Sequence, residues 1–337
     1  MLTYNGGSVV VFDPKGEIRD ITGEHRRKNF GHKTISIRPG SADTQTVNVL
    51  KHLNVFEDGG VTDAATVTNW LISTESKGEN SIFSERAQAL LKGLLMWLSA
   101  EYQVGNRKTR PTLRDLYGLV SMGQNKLQEW LGELVEELQN PEHYGESHRR
   151  QEVVKAIRDE LASFPEAPDK AMGSYLQEAS GSLSWLGDPT LYPAVCGGSD
   201  GEGDLEPRDL LDGKTTIYLN IEPKFLGSYP NLAKCLVGTF LNEAYKAKGA
   251  IEGRALFVLD EIQQLRDFPI VHQEALPLAR GYKISMMAFI QGANMFDQKC
   301  GEGTFAAWTD NAQVVSYYSV NGPETAKPIS EAMGETT

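Results

Sequence analysis

The stretch Ala255-Leu256-Phe257-Val258-Leu259-Asp260-Glu261 sets five consecutive apolar residues directly before two carboxylates. An unbroken apolar run of this length marks a central parallel strand buried on both faces, where alternation with polar residues serves no purpose. Its surroundings repeat the pattern. Residues 215–221 and 284–290 read as further strands, 231–248 and 268–280 as the helices between them, 313–318 as a last strand and 323–333 as the helix after it. Strand and helix alternating at this spacing predict an α/β fold, a parallel sheet with helices on both faces and right-handed crossovers. Toward the N-terminus, residues 9–12 and 34–37 are short apolar runs separated by charged, glycine-containing segments such as 23–27, which read as strands and connectors of the same layer. No element leads into the strand at 8–12, so the chain is expected to start inside a domain.

From about residue 56 to residue 204 the periodicity changes. Ile82, Phe83, Ala87, Leu90, Leu91, Leu94, Leu95 and Leu98 recur at spacings of three and four, and Thr112-Leu113-Arg114-Asp115 has the capping-box layout of a helix start. Residues 124–139, 147–164 and 167–186 continue the helical run, interrupted by Asn140-Pro141 and Pro165. Residues 196–203, rich in glycine and acid, read as a mobile connector. The division is therefore an α/β domain in two parts, 1–55 and 205–337, with an all-α domain, 56–204, inserted between them.

Composition bounds the function. A net charge of −12 argues against nucleic acid wrapped over the whole surface, which needs clustered Lys and Arg, while leaving room for a local basic pore. Cys196, Cys235 and Cys300 lack the paired spacing of a zinc site or a disulfide framework and read as buried or incidental thiols of a reducing cytoplasm. No run approaches the roughly 18 apolar residues that cross a bilayer, and the N-terminus lacks a signal-peptide layout.

Ligands of open parallel sheets bind just outside the carboxyl ends of the strands, so the polar residues there are the candidates for chemistry. Asp260-Glu261 has the layout of a Walker B motif: Asp260 would hold Mg²⁺ through water, and Glu261 would orient and deprotonate an attacking water. The alternative is two acids that merely cap the next helix. Gln291, ending the next apolar strand, is placed to sense a γ-phosphate or position water, or to close a turn with Gly292. Arg280 is either an arginine finger reaching a neighbouring subunit's nucleotide or a solvated arginine at a helix end. Of the pattern G-x-x-x-x-G-K-[ST] only Gly213-Lys214-Thr215 is found, with Arg208 at the first glycine position and a strand where the helix belongs, so it is a false match. No other glycine-rich loop leads from a strand into a helix. The residues alone describe an incomplete nucleotide-binding α/β protein.

Val9-Val-Val-Phe-Asp-Pro-Lys-Gly-Glu17 closely resembles the strand and D-P-K-G-E motif that follows the Walker A helix in the TraG/TraD-like coupling proteins of conjugative and type IV secretion systems. Leu256-Phe-Val-Leu-Asp-Glu-Ile262, Leu278-Ala-Arg-Gly-Tyr-Lys-Ile284 and Phe289-Ile-Gln-Gly292 are similar to the family's Walker B, A-R-G-Y segment and strand-terminal Gln. Glu324-Thr-Ala-Lys-Pro-Ile-Ser330 with Gly334-Glu-Thr336 is similar to the tail of its motor domain. The resemblance implies a RecA-like ATPase that couples ATP hydrolysis to transfer of its substrate. It assigns Asp13, Lys15 and Glu17 to ATP binding, Asp260 to Mg²⁺, and Glu261, Gln291 and Arg280 to catalysis. The inserted domain would receive a relaxase or relaxosome, a secreted effector protein or single-stranded DNA. Acidic helix faces around Glu133, Glu136 and Glu137 are candidate receptor surface or ordinary solvated faces. The full protein would form a homo-hexamer with other type IV secretion components at the cytoplasmic face of the bacterial inner membrane. The sequence departs from the family pattern in lacking Walker A, the N-terminal transmembrane helices and the segment after the tail, and in reading Ile37-Arg38-Pro39 where relatives are more apolar. Alternatives are a DNA-pumping ATPase of the chromosome-segregation or HerA type, and a receptor module that works without nucleotide.

Overall fold

The computed structural model describes residues 1–72, 79–198, 201–318, 320 and 323–334. Five strands form one parallel sheet among these residues: β1 (Val9–Phe12), β2 (Lys33–Ile37), β3 (Thr215–Leu219), β4 (Ala255–Leu259) and β5 (Ile284–Ala288), in the order β2-β3-β1-β4-β5. The pairing is in step, with Val10 opposite Ile217 and Phe257, and Leu259 opposite Ala288. Because side chains alternate across a strand, Val10, Phe12, Ile217, Leu219, Phe257 and Leu259 enter the main core, whereas Val9, Val11, Tyr218, Leu256 and Val258 form a smaller core on the opposite face.

Helix α1 (Glu17–Phe30) follows β1 and packs near that smaller core, with Ile18 against it. It overturns the reading of 23–27 as a connector. The helix is polar almost throughout and buries only Thr22 and Arg26, so no apolar period announces it.

Between β2 and β3 come α2 (Gly60–Leu71), α3 (Glu79–Val104), α4 (Leu113–Val120), α5 (Gln124–Glu137), α6 (His148–Leu161), α7 (Asp169–Leu183) and the short α8 (Pro193–Cys196). The long α3 is the spine against which α2, α6 and α7 pack. Thr112 caps α4 with the reciprocal bonds of a capping box, its hydroxyl accepting from the Asp115 N–H while the Asp115 carboxylate accepts from the Thr112 N–H. The described part of 196–203 is tied down: Gly197 N–H donates to Val47 O at 3.1 Å, and Lys51 pairs with Glu202 at 3.0 Å.

After β3 come α9 (Pro223–Ser228) and α10 (Pro230–Lys246), the latter buried along most of its surface and packed against α2, α8 and α9. Residues 268–280, expected as one helix, instead form a π-helical turn (Ile270–Glu274) running into the four-residue α11 (Ala275–Leu278). Pro269 and Pro277 bracket the stretch, and a proline inside a helix removes a donor and clashes with the preceding turn. Beyond β5 lie α12 (Ala293–Cys300), α13 (Thr304–Asn311) and α14 (Pro323–Met333). The expected strand 313–318 does not form, and Val314 and Tyr318 are more than four-fifths exposed. Residues 335 and 336 of the tail motif fall outside the described residues. All three cysteines are buried and free.

Candidate active site

β1, β3, β4 and β5 end on one rim of the sheet, and each end delivers a polar group. The loop after β1 is organised by Asp13, fully buried, whose carboxylate accepts N–H bonds from Gly16 at 3.0 Å and Arg19 at 2.9 Å and a third bond from the Asn220 side chain at 3.1 Å. Gly16, at φ 78°, makes the left-handed turn that starts α1. The free N–H groups of a helix start form an anion site. In α1 that role is already filled by Asp13. Burial pushes the Asp13 carboxyl up despite the donors around it. Asp13 thus shapes the loop after β1 through the bonds its carboxylate accepts from Gly16, Arg19 and Asn220.

That loop throws Lys15 outward over the end of β4. Its Nζ lies 3.2 Å from Glu261 Oε1, and Gln291 Nε2, at the end of β5, donates to the same oxygen at 3.1 Å. Glu261 sits at φ 47°, ψ 46°, a left-handed conformation uncommon for a side-chain-bearing residue. The hydrogen bond to Glu261 and its negative charge hold the Lys15 ammonium above the usual lysine range. Burial raises the Asp260 carboxyl, and the neighbouring Glu261 charge raises it further, with Asp13 adding to the effect. Three carboxylates share this rim with Lys15, an imbalance that suits a cation. Among the described residues no group of three or more His, Cys, Asp or Glu side chains could hold a metal ion alone. Asp260, at the end of β4 beside Glu261, is the carboxylate that would hold an ion such as Mg²⁺, which keeps most of its waters and takes further oxygens from a phosphate.

Glu17 and Arg280 stand apart. Glu17 is an exposed first-turn residue of α1 that acts on Lys15 only through its charge. Arg280 is exposed and precedes β5, at the amino end of the sheet. Five residues of strand at about 3.3 Å each place it on the order of 15 Å from the Glu261 rim of its own chain. Gly213-Lys214-Thr215 also lies at that amino end, where Thr215 opens β3. Asn220, which links Asp13 to Ser36 through its side-chain amide, escaped the sequence reading. It ends a buried strand just as Gln291 does, and that rule could have found it.

A parallel five-stranded sheet with acid and amide groups gathered at one carboxyl rim defines a RecA-like α/β protein. The chain belongs to the type IV secretory system conjugative DNA transfer family, which matches residues 1–337. It is 30% identical over 343 residues to the type IV secretion system-coupling protein VirD4 of Bartonella quintana, covering 100% of this chain and 50% of that protein. To the probable conjugal transfer protein TraG of Sinorhizobium fredii it is 27% identical, covering 98% and 49%. The chain thus spans about half the length of the curated relatives it matches. Among solved structures, the plasmid coupling protein TrwB in complex with the ATP analogue ADPNP superposes with a TM-score of 0.56 at 14% identity, covering 91% of this chain and 62% of that one, a likeness of fold. No helix among the described residues is long and apolar enough to cross a membrane.

Proposed function

We propose that this chain is the motor portion of a conjugative coupling protein that hydrolyses ATP to drive substrate transfer. The observation that carries the reading is the convergence of Lys15 and Gln291, from the strands on either side of β4, on one oxygen of Glu261. Two donors on Oε1 fix the carboxylate plane and leave Oε2 to take the proton of an attacking water. Asp260 would hold Mg²⁺, which supplies charge neutralisation at the phosphates when bound. Gln291 would orient the water, and Arg280 would act on a neighbouring subunit's nucleotide, consistent with its distance from its own rim. TrwB has been solved in complex with ADP and Mg²⁺, which supports the same ligands here. Relaxosome or effector recruitment through residues 56–204, hexamer formation and attachment to the inner membrane belong to the same proposal.

Among the described residues no loop cradles phosphate, so residues 1–337 alone are expected to turn ATP over negligibly, while a full-length version extended upstream to carry a Walker A loop is expected to hydrolyse it. In that protein Glu261→Gln should lower turnover on the order of 10²- to 10⁴-fold with nucleotide binding kept. Phosphate release is the measurement. Unchanged turnover in the variant would remove Glu261 as the base, and substrate capture independent of ATP would favour the receptor module.

A further inference from the structure

We propose that His272 is a positioning residue, holding the loop that carries Glu261 by bridging a strained carbonyl to α13. The loop leaves β4 through Glu261, makes one 3-10 turn (Ile262–Leu265) and ends at Arg266, φ 54°, ψ −151°. Residues other than glycine scarcely occupy that region, so the surroundings must impose it. The Arg266 carbonyl accepts the His272 Nε2–H at 2.9 Å, its guanidinium donates to Gly227 O at 3.0 Å, and its N–H donates to Gln263 O at 3.3 Å.

His272 is only 3% exposed, and its other nitrogen, Nδ1, accepts the Trp308 Nε1–H at 3.1 Å. An indole nitrogen can only donate and a carbonyl can only accept, so the imidazole must be neutral with its proton on Nε2. Phe296 and Trp308 meet its ring edge-on, with centroids at 5.6 and 6.2 Å. The charged groups that act on it are Asp267 and Lys234. One side chain therefore ties the Arg266 backbone to α13 with a fixed tautomer. Glu261 and Arg266 are joined by a single turn, so if Arg266 relaxes to an ordinary φ, the Glu261 carboxylate leaves Lys15 and Gln291.

This rests on Glu261 being the catalytic base, and the test separates the two ideas. In the full-length protein, H272F keeps an aromatic ring and loses both bonds. ATP turnover is expected to fall about 10- to 100-fold with KM little changed, as misplacement of a catalytic group does. Hydrogen exchange over residues 262–266 is expected to speed up. R266G removes the need for the tie, because glycine takes this conformation freely. The H272F/R266G pair should therefore recover most of the turnover and the slow exchange. W308F, which keeps a ring but loses the donor, should give a smaller loss in the same direction. Exchange needs no turnover, so it decides the positioning role even if no ATP is hydrolysed. Unchanged exchange in H272F, or a double variant as impaired as H272F, overturns the proposal, because a residue that only fills the core is not rescued from Arg266.

Discussion

Each polar residue on the rim is there because a buried strand stops beside it. Asp260, Glu261 and Gln291 were legible from that rule, since an apolar run ending in a polar group is visible in the letters. Contacts made across the fold were not. Nothing in the sequence links His272 to Trp308, 36 residues on, or marks Arg266 as a residue in glycine's conformation. His272 also gives a pH dependence. Burial pushes its imidazole down to about 4 from the ordinary 6.5, so between those values the unfolded chain binds a proton that the folded chain refuses. Its contribution to stability is complete above pH 6.5 and is lost as pH falls toward 4, about 3 kcal/mol at most at 1.36 kcal/mol per unit. Urea unfolding at pH 7 and pH 4.5 is the check: the drop in stability on acidification should be smaller in H272F than in the wild type, and an equal drop would place the acid sensitivity elsewhere.

Elements were legible where their apolar period was strong. The strands β3, β4 and β5 and helices α3, α5 and α10 fall within a few residues of their sequence readings, whereas the polar α1 and the proline-bracketed 268–280 do not. The failure at 313–318 has a different cause. A run rich in valine and tyrosine makes a strand only beside a partner, and β5 is an edge with no further strand among the described residues. That edge is apolar. Met287 on β5 is half exposed, and Phe289 just beyond it is 46% exposed. An open edge with apolar side chains is a template for association, and natural edges are blunted with lysine. Met287→Lys should therefore lower the concentration-dependent self-association of residues 1–337 in light scattering, with the unfolding midpoint shifted little. If association is unchanged, the contact lies elsewhere, with the exposed Val314–Tyr318 side chains the next to test.

At the scale of the molecule, the sheet and the inserted helices meet through α2 and α10. The ring of Trp70 lies flat on Gly238, where an added Cβ would stand 2.6 Å from Trp70 Cε2. Gly238→Ala must push α2 away, at a cost of about 1–3 kcal/mol for an overpacked contact, and should show in the thermal unfolding midpoint. Across this junction the charge is divided unequally. Residues 56–204 hold 24 acidic against 13 basic residues, a net −11 of the chain's −12, so the remainder is almost neutral. A surface of that sign repels phosphate and attracts cationic polypeptide, because long-range fields steer partners of opposite charge. Within the proposed substrate-receiving role, the inserted helices therefore suit a basic protein segment better than single-stranded DNA. A lysine- and arginine-rich peptide should bind residues 1–337 with an affinity that falls steeply as salt rises through the range where the Debye length shrinks to a few ångströms, while an oligodeoxynucleotide of similar length should not bind at physiological salt. Fluorescence anisotropy with both probes decides it: DNA bound as tightly as the peptide would show that the acidic helices are not the receiving surface.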